Sequence, residues 1–224
     1  MVFFFACTGR DFPGYAETDW DYLDEDVKTF NDKVRYKTPE IVPDRLKQPG
    51  VIKSNQGFAL DPNSLPKKLL WRNDDVPDVL PHYIVSDRFR ALVSSFEPSV
   101  HQFIPIEIYQ ERNGSPVTTY YWFIVCQRLD SVSREQTTYV YKSPDDNPSA
   151  GHWFSRVRNP ETGAREQIPG AKLIYDAART SGKHIWCDPH VLTRGDHLCS
   201  REFGEAAIAA NFSGLAFAVQ PTSR

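Results

Sequence analysis

The sequence predicts an α+β protein: a largely antiparallel sheet, a few packed helices and an extended N-terminal arm. Runs with strand-like alternation or dense aromatic and β-branched content outnumber helical stripes. The helical stripes do not alternate with strands in the way βα units require. Turn residues such as Asn113-Gly114 and Ser181-Gly182 separate neighbouring runs.

At 224 residues the chain is long enough for one sizeable core, or one domain with an extended N-terminal part. A hydrophobic content of 40% and a charged content of 25% are those of an ordinary globular protein. The formal net charge of -3 gives no case for nucleic acid as the main partner. Four cysteines are too few for a disulfide scaffold. No stretch approaches the ~20 apolar residues of a membrane span. The opening Met1 to Cys7 lacks a basic region and is too short for a signal sequence, so a cytoplasmic protein is expected.

Val2 to Cys7 is a short apolar run and predicts a buried first strand. Thr8 to Tyr15 is a turn. In the acidic segment that follows, Trp20, Leu23, Val27 and Phe30 fit a helical stripe, so a helix with an acidic outer face is expected over 19–33. Residues 35–68 are rich in Pro and polar residues with weak periodicity, which predicts an irregular arm wrapped over the body. Residues 1–64 are therefore assigned to the strand, acidic segment and arm, and 65–224 to an α+β domain.

Within that domain, Leu69 to Arg72 is a short strand or turn. Ser86 and Asp87 open a helix, because a serine hydroxyl can accept from a first-turn amide and a carboxylate suits the positive helix end. Phe89, Leu92, Val93 and Phe96 form its apolar face. Ile104, Ile106 and Ile108 alternate in a strand; Asn113-Gly114 signals a hairpin; Val117 to Cys126 returns as the second strand. Thr137 to Lys142, His152 to Val157, Ala171 to Asp176 and Lys183 to Cys187 predict further strands. A polar loop is expected around Gly163 and another loop from Asp188-Pro189. Ser200 caps a second helix over 201–210, and Leu215 to Val219 is a final strand.

Chemistry is harder to find. His184, Cys187, Asp188, His190, His197 and Cys199 are zinc-compatible types. Their spacing is neither CxxC…CxxC nor HExxH, and on a strand His184 and Cys187 point to opposite faces. They remain the basis of the alternative reading, a small hydrolase or metal-dependent enzyme. Ser86 or Ser200 could head a nucleophilic site on paper, but no Gly-x-Ser-x-Gly elbow is present and both fit as caps. No Gly-rich phosphate loop or calcium loop is present. No catalytic, metal or cofactor residues are therefore assigned, and the chain is expected not to be an enzyme.

Several segments in order resemble a known family. Leu65-Pro66-Lys67-Lys68 is followed by Tyr83-Ile84-Val85-Ser86-Asp87-Arg88-Phe89 and Phe103-Ile104-Pro105-Ile106-Glu107-Ile108. Tyr120-Tyr121-Trp122-Phe123, Ser200-Arg201-Glu202-Phe203 and Gly214-Leu215-Ala216-Phe217 complete the pattern. The pattern is similar to a bacterial immunity-protein family of polymorphic toxin systems, the myxobacterial-type immunity domain formerly catalogued as a domain of unknown function. The resemblance covers about residues 65–219. It implies a cytoplasmic protein that neutralises a cognate toxin by binding it, and supplies no catalytic residues.

In that light the charge distribution matters. Residues 11–32 hold eight acids and one base, so the 29 acids and 26 bases of the whole chain leave 21 and 25 elsewhere. Asp19, Asp21, Asp24, Glu25 and Asp26, with Trp20 and Tyr22 interleaved as aromatic anchors, form a candidate surface for a basic toxin. The bland alternative is a solvated helix face. Trp71, Asp74 and Asp75 form a second candidate contact. Exposed edge strands would permit a homodimer, although nothing in the sequence requires one.

Overall fold

The structure, a computed structural model, describes residues 2–7, 52–53, 59–60, 67–71, 76–80, 83–111, 114–143, 151–191 and 197–223. It is α+β, with mostly antiparallel and mixed sheets and two helices among the described residues. The acidic segment, most of the arm and the 64/65 boundary lie outside the described residues. The chain divides into two compact units. One comprises residues 1–6, 127–209 and 217–224; the other comprises 7–126 and 210–216.

The second unit is built on a five-stranded sheet. Its strands are β4 (Lys68–Leu70), β5 (Val79–Leu80), β6 (Ile84–Val85), β7 (Gln102–Tyr109) and β8 (Thr118–Ile124), in the order β4-β7-β8-β6-β5. β7 and β8 form the expected antiparallel hairpin, with Ile104 opposite Trp122 and Ile106 opposite Tyr120. Residues 112–113 at its turn lie outside the described residues. β4 pairs with β7 in parallel, because the chain passes through β5, β6 and a helix before it returns. Within this unit a two-stranded pair, β2 (Ile52–Lys53) and β3 (Ala59–Leu60), falls in the expected irregular arm.

The alternation in β7 sorts the core. Ile106 and Ile108 are buried on one face with Leu69, Trp71, Leu80, Ile84 and Tyr120. Phe103 and Phe123 stack on the opposite face, with centroids 5.1 Å apart. Helix α1 (Asp87–Phe96) uses that second face: its buried Phe89 meets Phe123 edge-on, and Val93 is also buried. Fully burying an aromatic or Val side chain contributes about 2 kcal/mol each, so this stripe decides which way the helix faces. Glu97 ends the helix, its amide donating to the Val93 carbonyl. The Cys126 amide donates to His101 Nδ1 at 3.2 Å, so His101 carries its proton on Nε2 and donates it to the buried Glu97 carboxylate at 2.6 Å.

The first unit contains β1 (Val2–Cys7), β13 (Ile185–Trp186), β14 (His197–Ser200) and β15 (Leu215–Gln220) in a sheet ordered β13-β14-β1-β15. β1 is apolar throughout because both faces are covered. Val2 and Phe4 pack with Trp153, Tyr175, Trp186 and Leu198. Phe3 and Phe5 face Phe217, and Phe5 also meets Phe203 of helix α2 (Arg201–Ala209). Gly204 of α2 is needed here, since a Cβ would stand 2.8 Å from the Phe3 ring. The short strands β9 (Val140–Lys142) and β10 (His152–Phe154) pair with each other, as do β11 (Arg156–Arg158) and β12 (Arg165–Gln167).

Three expectations change. The stretch 171–176 forms no ladder: its backbone bonds are scattered over residues such as Ser131, Ser133, Thr138, Pro221 and Ser223, leaving Tyr175 one isolated bridge each to Val132 and Thr222. The polar loop around Gly163 is the turn of the β11–β12 hairpin, and Gly163 has φ +70°. The loop following Asp188-Pro189 ends in β14, which brings residues 197–200 against β1.

Candidate functional site

Of the residues nominated for toxin contact, Asp19, Trp20, Asp21, Tyr22, Asp24, Glu25, Asp26, Asp74 and Asp75 lie outside the described residues. Trp71 is described and is only 2% exposed. Its amide donates to the Tyr109 carbonyl at 2.7 Å, which extends the β4–β7 pairing by one residue. The indole belongs to the sheet core.

Both serines considered as nucleophiles act as helix caps. Ser86 accepts from the Phe89 amide at 3.3 Å, and its hydroxyl donates to Asp78 at 2.9 Å. Ser200 accepts from the Phe203 amide at 3.2 Å and lies 3.0 Å from His184 Nδ1. Each hydroxyl is engaged in holding a helix start.

The C-terminal His and Cys residues are spread over separate contacts. His184 meets Ser200; Cys187 Sγ lies 3.2 Å from His197 Nδ1; His190 Nδ1 meets the Gly151 carbonyl. Among the described residues no group of three or more His, Cys, Asp or Glu side chains could hold a metal ion. The Cys187–His197 pair has the residue types of a thiol nucleophile and its base, but both are buried, 7% and 4% exposed. Cys126, Cys187 and Cys199 form no disulfide, and burial pushes the Cys199 thiol far above the ordinary thiol range.

Asp188 is held inside the first unit. Its Oδ2 accepts from the Ser131 amide and hydroxyl, both at 2.7 Å, while Oδ1 accepts from the His190 amide. Burial nevertheless raises its carboxyl above the usual range. Trp186 Nε1 donates to the same Ser131 hydroxyl, so the group is a structural knot tying residues 186–190 to Ser131.

A half-open cavity of about 330 Å³ lies over the start of α2, lined by residues including Lys183, His184, Ser200, Arg201 and Glu202. The helix start already carries an anion of its own: the Glu202 carboxyl, held below its usual range by its backbone amide and Ser200.

Two arrangements were not anticipated. The first is a clamp on Asp78. Arg88 donates to it through Nε at 3.1 Å and Nη2 at 2.6 Å, and Ser213 donates through its amide and hydroxyl, both at 3.1 Å. Burial opposes the charge, but Arg88, Ser213 and Ser86 together hold this carboxyl below the usual range. Arg88 continues to the Ala210 carbonyl at 2.9 Å and lies over the Phe212 ring at 4.3 Å. The second is the β11–β12 ribbon, whose register sets Arg158 opposite Arg165 and Arg156 opposite Gln167. All three arginines are exposed and share one face. The sequence signal for the ribbon was available: Arg-x-Arg, a turn with Asn159, Pro160 and Gly163, then Arg165.

Among the described residues no helix is long and apolar enough to cross a membrane. The described residues of each unit present a capped helix, a buried or half-buried hydrogen-bonded carboxylate and charged surface. No curated protein matches the chain. A family model described as "Immunity protein family (Imm11)" matches residues 47–222, more than three quarters of the sequence, and the chain belongs to that family of immunity proteins.

Proposed function

We propose that this protein neutralises one cognate bacterial toxin by binding it in the cytoplasm, without catalysis, and covering its active or functional surface. Family membership over residues 47–222 carries this reading. Ser86 and Ser200 support it, since both are engaged as caps. The proposed contact is the acidic segment, with Asp19, Asp21, Asp24, Glu25 and Asp26 complementing a basic toxin cleft and Trp20 and Tyr22 as anchors. Asp74 and Asp75 are proposed as a second contact, while buried Trp71 supports the sheet from inside.

The test is co-purification with the product of the neighbouring gene, combined with rescue of growth when that product is expressed. A complex and rescue are expected. Reversal of Asp21, Asp24 and Asp26 to Lys should slow association by about tenfold or more at low salt, with the difference narrowing as salt rises. Absence of both complex and rescue refutes the function; unchanged affinity and salt dependence in the reversed variant refutes the contact.

A further inference from the structure

We infer that the β11–β12 ribbon is a second contact surface, built to dock a carboxylate-rich patch on the toxin; this rests on the proposed function. The ribbon is preorganised. The Asn159 side chain accepts from the Glu161 and Thr162 amides at 2.8 and 3.2 Å, and the Asn159 amide donates to the Ala164 carbonyl at 2.8 Å. Gly163 supplies the left-handed residue at φ +70°, and Asn159 Nδ2 holds Glu166 on the reverse face at 2.8 Å. The tip is therefore fixed by its own hydrogen bonds, so a partner meets a rigid ribbon and little ordering entropy is lost on binding.

The front face carries Arg156, Arg158 and Arg165. Cross-strand partners stand about 5 Å apart and alternate residues on a strand about 7 Å, so three guanidinium stems rise from one small triangle. Like charges placed directly opposite destabilise a strand pair, and here Arg158 faces Arg165. None of the three forms an ion pair among the described residues: Arg158 Nε donates to the Gly163 carbonyl at 3.0 Å, and Arg156 Nε to Gln167 at 3.4 Å. Both bonds aim a guanidinium and leave its terminal nitrogens free to grip a carboxylate bidentately. A set of unpaired arginines kept on a rigid support at a cost in stability is what a docking surface for anions requires. The chemistry favours a protein over nucleic acid. Glu161 sits at the exposed tip, Glu166 lies behind, and the chain as a whole is acidic. The ribbon is opposite in charge to the acidic segment, so it would recognise a different, acidic patch of the toxin.

The experiment uses the full chain and the product of the neighbouring gene as probe. Surface-bound toxin is titrated with the wild type, with R156E/R158E/R165E, and with the milder Arg165→Gln. The triple variant should bind about 100-fold more weakly and Arg165→Gln about fivefold. Thermal melting of Arg165→Gln should match or exceed that of the wild type, because a repulsive pair is relieved. Wild-type binding that the triple variant retains in full overturns this inference and leaves the proposed function standing. No binding by the wild type overturns both. A 20-base-pair duplex serves as the other arm: duplex retained by the wild type and lost by the triple variant, with toxin affinity unaltered, assigns the ribbon to nucleic acid and overturns the inference.

Discussion

Replacing Asp78 by alanine removes the acceptor on which the second unit closes. The carboxylate side chain is 16% exposed and takes donors from Ser86, Ser213 and Arg88. Hydrogen bonds to a charged group at partial exposure contribute about 1 kcal/mol each from Ser86 and the Ser213 amide. Arg88 adds about 0.5 kcal/mol, because its side chain is 54% exposed and solvent screens the pair. Asp78→Ala should therefore lose about 2–3 kcal/mol near neutral pH, equivalent to roughly 50-fold faster native-state amide exchange in α1. The Arg90 and Val93 amides are suitable reporters. Asp78→Asn, which keeps one acceptor oxygen, should fall between. The pH dependence has a definite sign. The folded carboxyl titrates below its unfolded value, so its stabilisation is complete above that value and disappears as pH falls through the folded one. The penalty of Asp78→Ala should begin to shrink below about pH 4 and keep falling as the pH drops through the folded-state titration, read from urea midpoints. Exchange within twofold of wild type near neutral pH, or a penalty that persists unchanged in acid, refutes the clamp.

Two further outcomes follow from local geometry. Gly214→Ala combines φ +80° with a Cβ that would land on the Val79 carbonyl oxygen, whereas Gly163→Ala at φ +70° meets nothing within 4 Å. The first should cost at least about 3 kcal/mol and the second about 1 kcal/mol; equal melting temperatures would contradict the packing at Gly214. Ser200→Ala should destabilise by about 1 kcal/mol through loss of the α2 cap, and a variant that melts with the wild type would show that the cap bond contributes nothing.

The elements most legible in the sequence were those whose signal is local. Ser86 and Ser200 cap where a serine before an apolar stripe says they should, and Ile104, Ile106 and Ile108 share one face of β7. Strands that owe their existence to a distant partner were not legible. β14 has no strand signature of its own and exists through its pairing with β1 and β13, and β5, two residues long between prolines, depends on β6. The Asp78 clamp escaped for the same reason, since Ser213 lies 135 residues away and nothing near Asp78 announces it. Trp71 shows the converse difficulty: beside Asp74 and Asp75 it reads as surface, yet its pairing with Tyr109 carries it into the core. The family resemblance drew on core and cap residues, which is why it conveyed ancestry without conveying a binding surface.

The placement of β1 has a consequence for how the protein is made. Residues 2–5 pair with residues 197–200, so the sheet of the first unit cannot assemble until residue 200 has left the ribosome. The second unit waits at least as long, because Asp78 is satisfied by Ser213. An apolar segment made long before its partner strand is exposed to misassociation in the interval, and such long-range closure slows folding.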